Sequence, residues 1–446
     1  MNTPICDFVR QYAESGTVRL HMPGHKGRSF LGMESLDITE INGADSLYEA
    51  EGIIARSEEN ASKLFGSRTL YSTEGSSQCI RAMLYLALLY ARETGKAPVI
   101  AAARNVHKTF LSAAALLDLE VVWLYPDGTN AYLSCHIRAD TLEEQLKQAE
   151  KLPAAVYLTS PDYLGGLADI REIAVVCRRY GILLLVDNAH GAYLKFLEES
   201  AHPIDLGADL CCDSAHKTLP VLTGGAYLHI SPGAPELFFE QARTALALFG
   251  STSPSYLILQ SLDAANAYLD GYRERLSSFL STVSRLKTAL SEHGYQLFGQ
   301  EPLKITIAAK KYGYSGAELA KLLRDQDIEC EFADPDYLVL MLTPEVSADE
   351  LGRLKTVLCS VPMRPPISQC SPELRAGEKA LSVRDAMLAP AEILPVTQCE
   401  GRILSSASVG CPPAVPILVC GEVVDSHAVR CFRYYGVNQV SVVKKK

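Results

Sequence analysis

Residues 213–220 read DSAHKTLP and place a lysine, Lys217, beside two polar side chains, Ser214 and His216. The stretch follows a short, mostly apolar run at 208–212, which indicates a buried strand. The charge of a lysine shielded from water is costly, so its pKa falls towards neutrality. An amine of that kind can form an imine with a carbonyl group. We therefore predict that Lys217 is a catalytic nucleophile.

A second polar cluster, STEGSS at residues 72–77, lies between a strand-like run and a helical pattern. A glycine lets the backbone approach a ligand closely, and the free N–H groups at a helix start attract anions. Gly75, Ser76 and Ser77 are therefore candidates for binding a phosphate. An ordinary helix N-cap formed by Ser76 or Ser77 would explain the same residues.

A third cluster, DNAHG at residues 187–191, directly follows a run of five aliphatic residues. A carboxylate at the end of such a strand needs a cationic or hydrogen-bonding partner, which makes Asp187 a candidate ligand-binding group, together with His190. A helix-capping aspartate is the alternative. His107 follows the predicted strand 99–102 and could stack on a ring. A satisfied surface histidine is the alternative there.

Together these clusters fit one cofactor, pyridoxal 5′-phosphate (PLP), which requires a phosphate cradle, a carboxylate for its ring nitrogen and a lysine for its aldehyde. Lys217 would hold the cofactor covalently. Asp187 would keep the ring nitrogen protonated, so that the ring can accept electrons. The phosphate would be anchored by Ser76, Ser77, Ser214 and His216.

Short apolar runs alternate with amphipathic helical patterns along the first half of the chain. The predicted strands are 99–102, 121–124, 154–158, 182–186 and 225–230, and the predicted helices are 77–94, 141–151 and 169–180. This alternation predicts an α/β domain with a mostly parallel sheet. Ligands of such sheets bind at the carboxyl ends of the strands, where the polar clusters fall.

A helical pattern then runs from 255 to 293 with Gly271 as its one breaker, and it predicts a long helix. Strand and helix patterns at 304–308, 316–324, 336–342 and 348–357 follow and indicate a smaller α+β unit. We predict an N-terminal arm and large cofactor-binding domain at 1–285, a small domain at 286–365 and a C-terminal segment at 366–446.

The chain has 446 residues, of which 21% are charged, and its formal net charge is −10. An acidic surface argues against nucleic acid as a partner, and no apolar run reaches membrane-spanning length. The 13 cysteines include no pair at metal-ligand spacing, so we predict no metal site. The amphipathic N-terminus lacks an apolar targeting core, which predicts a cytoplasmic protein.

Many short motifs of the chain resemble those of the fold-type-I PLP-dependent decarboxylases that act on ornithine, lysine and arginine. These motifs are HMPGHKG at 21–27, DITE at 37–40, the segment 45–52, RNVHK at 104–108, TSPDY at 159–163, DNAHG at 187–191, SAHKTLP at 214–220, TSPSY at 252–256, GRI at 401–403, PPAVP at 412–416 and GE at 421–422. The resemblance covers nearly the whole chain, and the lysine motif is specific.

The resemblance implies the large domain of a fold-type-I PLP-dependent transferase with a smaller α+β C-terminal domain, in the short form without an N-terminal wing domain. It implies that His107 stacks on the cofactor ring. It also implies a homodimer or larger homo-oligomer in which Thr252 and Ser253 reach the cofactor of a partner subunit. The implied reaction is α-decarboxylation of arginine, lysine or ornithine, with Lys217 or His216 returning a proton to the substrate Cα.

Three departures from the family pattern leave the substrate open. Asn188 stands where the family has a glutamate, Gly224-Gly225 stands where a more polar pair is common, and Cys411 and Ala414 alter the Pro-Pro turn. Two alternatives remain besides decarboxylation. One is another PLP-dependent aminotransferase or lyase, and the other is a PLP-binding protein without turnover.

Overall fold

The computed structural model describes residues 1–126, 132–373, 375–406 and 415–445. The chain forms two compact units: unit 1 comprises Met1–Lys96 and Cys177–Arg275, and unit 2 comprises Ala97–Val176 and Leu276–Lys446. The division predicted from the sequence, at 285 and 365, stays a prediction.

The helices and strands alternate along much of the chain. The helices are α1 (Pro4–Glu14), α2 (Ile53–Phe65), α3 (Gly75–Thr94), α4 (Lys108–Leu117), α5 (Ala139–Gln148), α6 (Ile170–Arg179), α7 (Pro203–Leu206), α8 (Ala215–Thr218), α9 (Glu236–Ala247), α10 (Tyr256–Tyr268), α11 (Tyr272–Glu292), α12 (Gly316–Arg324), α13 (Ala348–Ser360), α14 (Val383–Leu388) and α15 (Ser426–Tyr434). The strands are β1 (Arg68–Ser72), β2 (Val99–Ala103), β3 (Glu120–Leu124), β4 (Ala155–Thr159), β5 (Leu183–Asp187), β6 (Leu210–Asp213), β7 (Ala226–Ile230), β8 (Leu297–Phe298), β9 (Lys304–Ala308), β10 (Phe332–Ala333), β11 (Tyr337–Met341), β12 (Ala391–Pro395) and β13 (Gln439–Val443).

The strands of unit 1 lie in the order β1-β7-β6-β5. β5 and β6 are parallel, whereas β7 is antiparallel to both of its neighbours. Every residue of β5 and β6 is buried, as expected for strands covered on both faces. The helix α3 packs against β5, β6 and β7. The carboxyl ends of β5 and β6 therefore lie side by side at one edge.

Unit 2 contains β4-β2-β3, in which β2 is parallel to both neighbours. It also contains an antiparallel sheet in the order β10-β11-β9-β8 and the antiparallel pair β12-β13. Two of its helices, α12 and α13, begin with capping boxes at Ser315 and Ser347, in which each serine is bonded reciprocally with a glutamate three residues on. The predicted α/β architecture is confirmed.

The prediction of one long helix over 255–293 was wrong. The segment forms two helices, because α10 ends at Tyr268 and α11 begins at Tyr272. Gly271 between them has a φ of +71°, a conformation that ends an α-helix and that glycine adopts at little cost.

Among the described residues, no helix has both the length and the apolar character needed to span a bilayer. Cys411, Ala414 and the greater part of the PPAVP motif lie outside the described residues.

Candidate active site

Lys217 and His190 meet at the carboxyl ends of two neighbouring strands in unit 1. Lys217 lies in the short helix α8, directly after β6, and His190 lies just beyond the end of β5. The Lys217 Nζ atom is 3.0 Å from the His190 Nε2 atom. His190 is buried, but Lys217 is only half-buried, so the lysine is less shielded from water than the sequence predicts. The amine is thus held by a neighbour while part of its side chain stays accessible.

Asp187 is the last residue of β5, and it is 3% exposed. Its Oδ1 atom accepts a hydrogen bond from the Ala189 N–H at 3.2 Å, and the Cys212 Sγ atom lies 3.7 Å from the same oxygen. Asp187 pairs with Cys212 in the parallel register of β5 and β6. The carboxylate and the strand that leads to Lys217 therefore end at the same edge. A buried carboxylate there can accept a hydrogen bond from a protonated ring nitrogen.

Ser76 and Ser214 bring two hydroxyl groups together at the start of α3. The Ser214 Oγ atom donates to the Ser76 Oγ atom at 2.8 Å. The N-cap residue of this 20-residue helix makes no side-chain capping bond, and Gly75, Ser76 and Ser77 are all half-buried. Hydroxyl groups beside a helix start form a cradle suited to an anion such as a phosphate.

A backbone carbonyl holds the ring of His216. Its Nδ1 atom donates to the Gly225 oxygen at 3.0 Å. Burial lowers the pKa of His216, the bond to Gly225 opposes this shift, and the positive charge of Lys217 adds to it. The neutral imidazole therefore carries its proton on Nδ1 and a lone pair on Nε2. A bound phosphate would raise this pKa again, because a nearby negative charge favours the imidazolium.

Close backbone packing explains the glycine at position 224. Gly224 has a φ of +100°, and a Cβ atom there would lie 2.8 Å from the Thr73 carbonyl oxygen. The Gly224 carbonyl accepts a hydrogen bond from the Gly75 N–H at 2.7 Å. The glycine thus joins the turn after Lys217 to the start of α3, where a larger residue would force the two apart.

Asn188, another of the three departures from the family pattern, binds a carboxylate. Its Nδ2 atom donates to the Asp213 Oδ1 atom at 2.6 Å, and both residues are fully buried. A glutamate at this position would place a second carboxylate against Asp213. Asn188 is therefore suited to its contact with Asp213 because it can donate a hydrogen bond to that carboxylate. Asp213 was not singled out from the sequence, although it directly precedes the lysine motif.

The side chains of unit 1 fit PLP, since they supply a hydroxyl pair at a helix start, a buried carboxylate and the amine of a half-buried lysine. A comparison with known families matches residues 3–299 to the family described as Orn/Lys/Arg decarboxylase, major domain. The chain belongs to this family. The decarboxylase is 27% identical to the arginine decarboxylase of Bacillus subtilis (strain 168), over 95% of this chain and 91% of that protein. It is 28% identical to the arginine decarboxylase of Halalkalibacterium halodurans, over 95% of this chain and 91% of that protein.

Solved structures share the fold of the decarboxylase. The lysine decarboxylase of Francisella novicida matches with a TM-score of 0.80 at 18% identity, covering 99% of this chain and 81% of that one. The constitutive lysine decarboxylase of Escherichia coli matches with a TM-score of 0.78 at 17% identity, covering 99% of this chain and 82% of that one. The predicted family and fold class are confirmed, and the chain is a PLP-dependent amino acid decarboxylase.

His107 belongs to unit 2 of the decarboxylase, where it is the N-cap of α4. Its Nδ1 atom accepts a hydrogen bond from the Thr109 N–H at 3.2 Å and lies 2.9 Å from the Thr109 Oγ1 atom. The proton of the neutral ring is therefore on Nε2. Stacking of His107 on the cofactor stays a prediction.

Thr252 and Ser253 are exposed in unit 1. Their loop contacts the N-terminus of α3, because the Ser251 N–H donates a hydrogen bond to the carboxylate of Glu74, the N-cap residue of that helix. Their predicted contact with the cofactor of a partner subunit stays a prediction.

Proposed function

We propose that the decarboxylase binds PLP in unit 1 and converts a basic amino acid to the corresponding amine and CO2. One observation carries this proposal. The Lys217 amine lies beside His190, at the same edge of the sheet at which β5 ends with the buried carboxylate of Asp187. When bound, PLP supplies a ring that takes up the electron pair released as the carboxylate departs.

Different residues of unit 1 would bind the aldehyde, the ring nitrogen and the phosphate of the cofactor. Lys217 would bond to the aldehyde carbon, and Asp187 would accept the proton of the ring nitrogen as a hydrogen bond. His190, 3.0 Å from the Lys217 amine, would hold that amine in position. The phosphate would be held by Gly75, Ser76, Ser77, Ser214 and His216.

Of the two groups predicted to return a proton to the substrate Cα, Lys217 has the better support. The Nδ1 proton of His216 is bonded to the Gly225 carbonyl, and burial lowers the pKa of the ring. A neutral His216 has no proton on Nε2, and a proton that Nε2 gained beside the phosphate would be bonded to the phosphate. The Lys217 amine, when it is not bonded to the cofactor, would carry that proton.

Arginine is the first substrate to test, and lysine and ornithine are the next two. The relatives that this chain matches over most of their length include arginine decarboxylases at 27% and 28% identity. The three amino acids share an α-amino and an α-carboxylate group and differ in length and head group, so the residues that contact the head group decide between them.

Purified protein with added PLP tests the proposal. It is incubated with carboxyl-labelled arginine, lysine or ornithine, and with citrulline as a neutral analogue of arginine. We expect labelled CO2 and an equal amount of amine from one basic amino acid, and little from citrulline. The Lys217→Ala variant serves as the inactive control. A 2-oxo acid product would indicate an aminotransferase, and no product from any of the three would contradict the proposal.

We also propose that the chain functions as a homodimer or larger homo-oligomer, in which Thr252 and Ser253 contribute to the site of a neighbour. The exposure of both residues in the single chain supports this. Light scattering after size-exclusion chromatography measures the mass in solution. Mixing a Lys217→Ala subunit with a Thr252→Ala, Ser253→Ala subunit should restore activity if sites are shared, and a monomer would contradict the idea.

A further inference from the structure

A compact cluster of four metal-binding side chains lies in the core of unit 1 and has no part in the proposed reaction. Its members are His202, Cys211, Asp213 and His229, and all four are buried. Each offers one nitrogen, sulfur or oxygen atom, and these four atoms all lie within 4.8 Å of one another. No cysteine pair marks the cluster in the sequence, and for that reason the sequence led to the expectation of no metal site.

The sheet brings these residues together. Cys211 and Asp213 are two residues apart on β6, so their side chains point to the same face. His229 lies on β7 directly opposite Cys211 in the antiparallel register. His202, the residue before α7, supplies the fourth side chain. The cluster therefore rests on rigid elements, which suits a site of fixed geometry.

The distances agree with four ligands of one small ion. The Asp213 Oδ2 atom is 3.1 Å from the Nε2 atoms of both His202 and His229. The His202 Nε2 atom is 3.9 Å from the Cys211 Sγ atom. Tetrahedral zinc, with bonds of about 2.0–2.3 Å, places neighbouring ligand atoms roughly 3.3–3.7 Å apart. Shifts of a few tenths of an ångström would bring these three distances to those values, and a pair of ligand atoms at the 4.8 Å limit would have to approach by about 1 Å.

The charges agree as well. In the described part of the chain, the ion-pair partners of Asp213 are His202 and His229, with no lysine or arginine among them. A zinc ion bound to a carboxylate, a thiolate and two neutral imidazoles gives a site of zero net charge. Binding would release the thiol proton of Cys211 to solvent. A neutral cluster removes the cost of a buried carboxylate without a full counter-charge.

We propose that His202, Cys211, Asp213 and His229 bind one zinc ion in a closed, structural site. Four protein ligands leave no open position for a substrate, which is typical of structural zinc. Neighbouring groups orient two of the ligands: the His229 Nδ1 atom lies 2.9 Å from the Thr69 Oγ1 atom, and Asn188 donates to the other oxygen of Asp213. The ion would connect β6, β7 and the segment before α7, next to Ser214 in the chain.

Metal content tests the site without reference to activity. Full-length protein, purified without a polyhistidine tag from zinc-supplemented medium, is analysed by mass spectrometry of its metals. We expect about one zinc ion per chain. Exchange with cobalt should give visible absorption bands in the red, where PLP does not absorb, because tetrahedral cobalt with a thiolate ligand is strongly coloured.

Two variants provide the comparison. Cys211→Ser should lower zinc affinity by at least about 100-fold in a competition titration with a coloured chelator. Cys212→Ser, the neighbour on the other face of β6, should keep the zinc. Wild-type protein that neither contains zinc nor takes it up in the titration would overturn the proposal, and the four side chains would then form a hydrogen-bonded cluster around Asp213. This wild-type titration decides the question even if a variant fails to fold.

Discussion

Asn188 shows how one residue can be understood only together with the residue it contacts. Its amide donates to the buried carboxylate of Asp213 at 2.6 Å, and a carboxylate in its place could not donate. We expect Asn188→Asp to lower the free energy of unfolding by roughly 2–3 kcal/mol at neutral pH, through a lost bond to a charged group and repulsion between two buried carboxylates.

Chemical denaturation of wild type and variant measures this difference. Asn438→Asp, at an exposed position, is the matched control and should behave as wild type. Because protonation of one carboxylate restores a donor, the deficit of Asn188→Asp should shrink as the pH falls towards about 5. A deficit that is absent, or that is equal at both pH values, would contradict the pairing.

His216 gives a pH dependence whose sign follows from its burial. Burial holds the pKa of His216 below its ordinary value in the folded protein. The unfolded chain takes up the proton first, as the pH falls through about 6.5. The stability that His216 contributes is therefore present above that pH and is lost as the pH falls through the lower folded pKa.

Melting temperatures measured between about pH 8 and about pH 5.5 span the pH range in which His216 loses its contribution to stability. We expect a steeper loss in wild type than in His216→Gln, whose amide can still donate to the Gly225 carbonyl. All other titrating groups are common to both proteins, so the difference between the slopes reports His216. Parallel slopes would show that its folded and unfolded pKa values are the same.

The sequence singled out Lys217 and Asp187 as candidate site residues, but it did not single out residues whose role depends on contacts between distant parts of the chain. Lys217 and Asp187 stand out because a charged residue follows an apolar run. Asp213, His202 and His229 come together through the pairing of β6 with β7 and through the loop before α7, which no local pattern reveals.

At the scale of elements, the turn between α8 and β7 positions the start of α3. Gly224 allows it, because its φ of +100° and the nearby Thr73 carbonyl leave no room for a side chain. We expect Gly224→Ala to weaken PLP binding and to lower the free energy of unfolding by about 1–3 kcal/mol. Gly233→Ala, at a position with open space around it, should leave both unchanged.

Fluorescence titration with PLP and thermal unfolding measure the two effects of Gly224→Ala. Loss of stability with unchanged PLP affinity would mean that the turn does not position the cofactor cradle. Unchanged stability would mean that the crowding at Thr73 is relieved by a small shift of the backbone.

Buried strands and capped helices were the elements that the sequence specified best. β9 and α12 have the predicted bounds, 304–308 and 316–324, because the alternating polar and apolar residues of KITIA and the capping box at Ser315 each carry a local signal. The residue types of the segment 255–293 favour a helix along its length. The break at Gly271 depends on a backbone conformation that apolar periodicity does not encode.

At the scale of the whole molecule, unit 2 joins distant parts of the chain through a buried ion pair. The Arg104 Nη2 atom is 3.1 Å from the Glu422 Oε2 atom, and their side chains are 0% and 5% exposed. Glu422→Gln would leave the guanidinium buried without its counter-charge. We expect the free energy of unfolding to fall by about 3–5 kcal/mol.

Denaturant unfolding of Glu422→Gln, followed by circular dichroism, measures this loss. Asp325→Asn removes the exposed partner of Lys321 and should change stability little. Similar stabilities for the two variants would show that the Arg104–Glu422 pair does not hold the C-terminal segment in place. The sequence contained both motifs, but no spacing rule connects residues 318 positions apart.

The lysine to which PLP attaches covalently shows whether Lys217 is the catalytic lysine of this chain. The protein is loaded with PLP, reduced with borohydride, digested and analysed by mass spectrometry. We expect a phosphopyridoxyl group on Lys217, and none on the same peptide from Lys217→Arg. Attachment at a different lysine, or at none, would contradict the assignment of this chain's catalytic centre.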